Sequence, residues 1–168
     1  MPQNIEIKAR ITHKEQLLAR LTTLCPEPAT LLAQEDTFFH SPQGRLKLRI
    51  FTTERGELIY YERPDTTGPK QSTYVRTTTE QPEALKMVLT MALGVRGMVR
   101  KQRHLYMLGQ TRVHVDEVEG LGDFVELEVV LHPTQTVAEG TEIATALMQK
   151  LAIDNDALIA GAYIDLLS

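Results

Sequence analysis

Phe124-Val125-Glu126-Leu127-Glu128-Val129 alternates apolar with acidic side chains, and that alternation decides the fold. A period of two sends every second side chain of an extended chain to the same side. Val125, Leu127 and Val129 therefore share one face, and Glu126 and Glu128 share the other. Four further stretches repeat the pattern with bases: Ile5-Glu6-Ile7-Lys8-Ala9-Arg10, Arg45-Leu46-Lys47-Leu48-Arg49, Arg100-Lys101-Gln102-Arg103 and Arg112-Val113-His114-Val115-Asp116. The charged face then carries Glu6, Lys8, Arg10, Arg45, Lys47, Arg49, Lys101, Arg103, Arg112, Asp116, Glu126 and Glu128. One such strand alone reads as antiparallel sheet with a solvated outer face. Five together hold more bases than solubility requires and keep carboxylates among them, which suits a polar barrel interior holding a polyanion and a metal ion.

Outward from these stretches the chain punctuates itself. A strand is expected over residues 3–11, then a helix to Leu24 opened by a Thr12/Glu15 capping box and ended by Pro26 and Pro28. Strands follow at 31–40 and 45–53, around the turn Ser41-Pro42-Gln43-Gly44. A hairpin turn at Glu54-Arg55-Gly56-Glu57 leads to a strand at 58–63, and a loop at 64–69 to one at 72–79. Pro82 and Gly94 bound a helix. Strands at 95–106, 109–117 and 122–132 precede a helix at 137–151, with Thr136 and Glu139 as a second capping box, and a short helix at 156–167. The expected fold is α+β, mainly antiparallel β: a single domain over residues 1–168, with about eight strands that can close into a barrel and four helices.

With 168 residues, one sizeable core is expected. No apolar run is long enough for a membrane span, and residues 1–4 lack the core of a signal peptide. A lone Cys25 excludes an internal disulfide or a cysteine-rich zinc site, so the expected location is cytoplasmic. A net charge of −4 argues against a general nucleic-acid surface. Bases concentrated in particular strands of an acidic protein favour a small anionic ligand instead.

Glu126 and Glu128 point to one side about 7 Å apart, a spacing that can hold a hard divalent cation such as Mg2+ or Mn2+. Glu6 repeats the geometry beside Lys8 and Arg10. Bases at a spacing of two can clamp a chain of phosphates from several walls, arginine bidentately and lysine as a point charge. The candidates are Lys8, Arg10, Lys47, Arg49, Arg63, Arg76, Lys101 and Arg103. No phosphate loop, dinucleotide fingerprint, serine elbow or recognisable histidine metal spacing is present.

Asn4-Ile5-Glu6-Ile7-Lys8-Ala9-Arg10 resembles the N-terminal Glu-x-Glu-x-Lys signature of the CYTH proteins. These form the class IV adenylyl cyclase and thiamine triphosphatase superfamily, or triphosphate tunnel metalloenzymes. The resemblance continues through residues 34–39, 44–49, 60–64, 101–103, 115–128 and 162–167, and is closest to the bacterial class IV cyclase-like branch. It implies an eight-stranded antiparallel barrel whose tunnel binds a triphosphate, with helices outside. By similarity, Glu6, Glu126 and Glu128 bind the divalent metal, and Lys8, Lys47, Arg49, Arg63, Lys101 and Arg103 bind phosphates. Arg10 and Arg76 are weaker candidates for the same role. Lys101 and Arg103 would also act in catalysis, with Asp116 positioning a metal-bound water or a second cation. The first signature glutamate is Asn4 here, which keeps an oxygen but removes a charge. The implied reaction is ATP to cyclic AMP and pyrophosphate. The alternatives are hydrolysis of inorganic triphosphate, thiamine triphosphate or a nucleotide, and a sensor that binds without turnover. A homodimer is also compatible with the resemblance.

Overall fold

Eight strands close into an antiparallel barrel in the order β1-β5-β4-β3-β2-β6-β7-β8. The structure, a computed structural model, describes residues 2–167. Met1 and Ser168, included in the expected domain, lie outside the described residues. The strands are β1 (Gln3–Arg10), β2 (Thr30–Phe39), β3 (Arg45–Thr52), β4 (Arg55–Glu62), β5 (Lys70–Thr79), β6 (Val95–Leu108), β7 (Thr111–Val118) and β8 (Gly122–Val130). Closure comes from β1 against β8, which sets Glu6 opposite Glu128 and Lys8 opposite Glu126. A closed barrel leaves no unpaired edge. Its two faces must then be chemically distinct, as the alternation in the sequence requires.

The apolar phase of β1, β7 and β8 points outward and is covered. Ile5, Ile7, Val113, Val115, Leu127 and Val129 are fully buried in a cluster with Leu17 and Leu21 of α1 (Lys14–Leu24) and Ala144 and Leu147 of α3 (Val137–Lys150). Gly140 permits that approach, because a Cβ there would lie 2.7 Å from Ile5 Cγ1. Across the barrel, Leu85 and Leu89 of α2 (Pro82–Leu93) cover Phe39, Leu48 and Ile50. Cys25 is buried in the first cluster, where burial pushes its thiol up, consistent with a structural role. Among the described residues, no helix is long and apolar enough to cross a membrane.

The chain's last segment closes one end of the barrel from within. Ile159 N donates to Lys8 O at 2.9 Å, and Ala9 bridges Leu158. Ala162, Tyr163 and Ile164 then pack on Phe38, Tyr61, Val99, Val118 and Phe124, all on the inward phase of their strands. Asp165 of α4 (Tyr163–Leu167) pins this plug through Arg45 at 2.8 Å and Arg96 at 2.7 Å.

Three local expectations are corrected. The Thr12/Glu15 capping box does not form: Ile11 N still bonds to Asp123 O, so the chain leaves the sheet late and His13 becomes the N-cap without a side-chain bond. The Thr136/Glu139 box does form. The expected helix at 156–167 is instead a 3-10 turn at Asn155–Ala157, an extended crossing and α4, interrupted where Gly161 adopts φ 78°. Gly56 lies inside β4 rather than in a turn; a Cβ there would meet Arg49 O and Pro82 Cβ at 2.9 Å.

Candidate functional site

The inward phase of the strands encloses a cavity of about 480 Å3, lined by nine Lys or Arg side chains against five Asp or Glu. In a chain of net charge −4, that excess makes the interior locally positive. The charges are not mixed at random around the wall.

The wall built by β2, β3 and β6 is basic and internally braced. Asp36 is 1% exposed and accepts from Arg49 Nε and Nη2, each at 2.8 Å, and from Lys101 Nζ at 2.8 Å. Lys47 Nζ stands 3.6 Å from the same carboxylate. Burial would raise the Asp36 carboxyl, but Arg49, Lys101 and Lys47 together hold it well below the usual range. Burial lowers Lys101 to about 8, and Arg49 and Arg103 add to that despite Asp36. Arg103 makes a second bidentate pair with Asp116, Nε at 2.7 Å and Nη2 at 2.8 Å, and Tyr163 donates its hydroxyl to Asp116 Oδ2 at 2.8 Å. The Tyr163 ring in turn lies 4.1 Å from Lys8 Nζ and 5.5 Å from Lys101 Nζ.

The wall built by β1, β7 and β8 is acidic and incomplete. Glu126 faces Lys8 at 3.5 Å and contacts His114 Nδ1 at 3.0 Å. Glu128 accepts from Asn4 Nδ2 at 2.8 Å and from Arg112 Nη1 at 3.4 Å. Glu6 Oε2 and Asn4 Oδ1 are buried without a hydrogen-bond partner. Burial, then the nearby Glu126 and Glu128, push the Glu6 carboxyl up to about 7 despite Arg63 and Lys8. Converging carboxylates with an oxygen free of hydrogen bonds are the donors a hard divalent ion takes, so this set fits one. Arg63, its side chain 3% exposed, sits 3.8 Å from Glu6 yet leaves Nε and Nη2 unpartnered.

Of the residues singled out from the sequence, Glu6, Lys8, Lys47, Arg49, Arg63, Arg76, Lys101, Arg103, Glu126 and Glu128 line this one cavity. Arg76 is at its exposed side and pairs with Glu57 at 3.7 Å. Arg10 is not in the lining. It lies beyond the plug, exposed, with its guanidinium 5.1 Å from the Phe124 ring. Asp116, read as a water- or cation-positioning group, is likewise outside the lining; it is spent on Arg103 and Tyr163, and burial is outweighed by Arg103, which helps hold its carboxyl at about 2.

Sequence reasoning missed Asp36, whose partners come from two neighbouring strands, and His114, which meets Glu126 only through the β7–β8 register. The signal for both was their inward phase. It also missed Leu32, Phe51, Leu105 and Met107, which add apolar surface to the lining.

Comparison with known proteins agrees with this architecture. The CYTH domain family model matches residues 2–163, and the chain belongs to that family. A Methanocaldococcus jannaschii protein named "Putative adenylate cyclase" is 25% identical over 96% of this chain and 97% of its own length. A solved Pyrococcus horikoshii protein, also 25% identical, superposes with a TM-score of 0.82 over 97% of this chain and 98% of its own. A Hippeastrum protein shares the fold at 17% identity, with a TM-score of 0.62 over 91% of this chain and 89% of its own. That protein is described as a "Putative adenylyl cyclase" that "reveals a dominant triphophatase activity".

Proposed function

We propose that this CYTH-domain protein is a divalent-metal-dependent enzyme that cleaves a phosphoanhydride bond of an organic triphosphate held in the barrel, with cyclisation of ATP to cyclic AMP and pyrophosphate as its reaction. The observation that carries the reading is the juxtaposition of two unmet demands in one cavity. Arg63 Nε and Nη2 are buried without an acceptor, and Glu6 Oε2, 3.8 Å from Arg63 Nη1, accepts no hydrogen bond. A polyphosphate satisfies the first and a cation the second.

In this reading Glu6, Glu126 and Glu128 hold the metal. Lys8, Lys47, Arg49, Arg63, Lys101 and Arg103 hold phosphate oxygens, with Arg76 at the open side. A divalent ion bound there supplies neutralisation of phosphate charge as a Lewis acid. The chain's own contribution is a charge distribution built before substrate arrives. Asp36 and Asp116 fix Arg49 and Arg103 by paired bonds, so these guanidinium groups need no reorganisation to stabilise charge developing on the leaving pyrophosphate. In cyclisation the 3′-hydroxyl oxygen bonds to the α-phosphorus, its proton leaves to solvent, and the bond to the bridging oxygen breaks. The apolar lining of Leu32, Phe51, Leu105 and Met107 offers a surface for the base.

Hydrolysis, with water as nucleophile, is the second reading, favoured by the activity ascribed to the Hippeastrum protein on the same fold. Anion-exchange analysis after incubation with Mg2+ or Mn2+ and, separately, ATP, thiamine triphosphate and inorganic triphosphate tests both. Cyclic AMP with pyrophosphate supports the first reading, and orthophosphate the second. No product from any substrate would leave a binding protein without turnover.

A further inference from the structure

The acidic wall offers a nitrogen as well as oxygens, and that changes which cations it suits. His114 stands opposite Glu126 in the β7–β8 register, with Nδ1 3.0 Å from Glu126 Oε1. One ligand atom from each of His114, Glu126 and Glu128 lies within 4.8 Å of the other two. Glu6, expected as the third metal ligand, is not a member of that group. Two polar atoms without a hydrogen-bond partner face the same cavity: Asn4 Oδ1 and Glu6 Oε2, on side chains only 4% and 9% exposed. The Asn4 amide already touches the group through Glu128 Oε1. Of the five histidines in the chain, His114 alone lines the cavity.

We propose that His114 is itself a metal ligand, forming with Glu126 and Glu128 a mixed nitrogen–oxygen site that takes a divalent transition ion such as Mn2+, Co2+ or Zn2+ in preference to Mg2+. The inference deepens the metal-dependent reading above and rests on it. Mg2+ is a hard ion that takes oxygen ligands and sheds its water reluctantly. An imidazole nitrogen suits transition ions, and affinity for such a donor rises along the first row. The 3.0 Å between His114 Nδ1 and Glu126 Oε1 is close to the roughly 3 Å that separates adjacent ligand atoms of an octahedral ion when each is about 2.1 Å from it. Asn4 reinforces the preference. A neutral amide at the edge of the group lowers the negative charge on which a hard ion depends, and the imidazole donor compensates only for ions that accept nitrogen. The competing role for His114 is to orient Glu126 by a hydrogen bond without touching the ion.

Pulsed electron paramagnetic resonance on the whole chain loaded with Mn2+, prepared with natural or 15N-labelled histidine, separates the two roles. A nitrogen coupling of directly bound imidazole that changes with the isotope is expected in the wild type and absent from His114→Gln. Calorimetry should show Co2+ affinity falling at least about tenfold in that variant, with Mg2+ affinity changing less than about threefold. Bound Mn2+ without a histidine coupling would overturn the proposal and leave the carboxylate metal site standing. No Mn2+ binding to the wild type would overturn both the proposal and the metal-dependent reading. Should His114→Gln fail to fold, the isotope comparison in the wild type still decides.

Discussion

The two walls of the tunnel contain the same kinds of residue and are finished to different degrees. The cations of the basic wall are held by committed carboxylates: Asp36 braces Arg49, Lys47 and Lys101, and Asp116, reaching across from β7, braces Arg103. On the acidic wall Glu6 and Asn4 retain oxygens without a hydrogen-bond partner, and burial with the nearby Glu126 and Glu128 raises the proton affinity of Glu6. In the proposed reading, a cation completes this second wall. Asp36 on the basic wall is therefore held charged by its partners, whereas Glu6 on the acidic wall is crowded by burial and by Glu126 and Glu128.

The sharpest way to break that contrast is Asp36→Asn. Removing the counter-ion leaves three buried cations facing one another, and the expected loss is about 3–5 kcal/mol in chemical denaturation. A loss below about 1 kcal/mol would show that the basic wall does not depend on its acid. Glu128→Gln should behave oppositely. Its stability without metal should stay within about 1 kcal/mol of the wild type, since the change relieves repulsion with Glu6. Turnover should fall about a hundredfold or more, reflecting lost charge neutralisation by the metal. A full-activity Glu128→Gln would remove that carboxylate from the metal site.

A smaller effect comes from the cation itself. At a hundredfold excess over its dissociation constant, a divalent ion should stabilise the wild type by about 2.7 kcal/mol, and Glu128→Gln by much less. Equal shifts in melting temperature would place the ion elsewhere. The smallest effect is on pH. Burial sets Lys101 at about 8, so its charge is present below that value and lost as pH rises through it. Triphosphate affinity should weaken several-fold between pH 7.5 and 9.5, beginning somewhat above 8 because bound phosphate favours the charged amine. A flat profile would mean that Lys101 stays charged throughout or does not touch phosphate.

Much of the tunnel was legible because a period of two leaves no ambiguity about which residues share a face. Lys47 and Arg49, or Glu126 and Glu128, had to point the same way, and resemblance supplied the closure that put them in one barrel. Cross-strand register was not legible. Nothing in linear spacing sets Asp36 against Arg49 or His114 against Glu126, since those pairs depend on how strands slide on closing. Nor could periodicity find where the tunnel ends: Arg10 keeps the phase of Lys8 but lies beyond the plug made by Phe124 and Tyr163. The Thr12/Glu15 box failed because strand pairing at Ile11 outcompeted an earlier helix start.

The central claim is that the two walls are complementary halves of one site for a metal-bound triphosphate. Titration calorimetry of the wild type with a non-hydrolysable ATP analogue, with and without Mn2+, tests it directly. Saturable binding of one analogue per chain is expected, at least about tenfold tighter when Mn2+ is present. Absence of saturable binding, or binding indifferent to the ion, would contradict it.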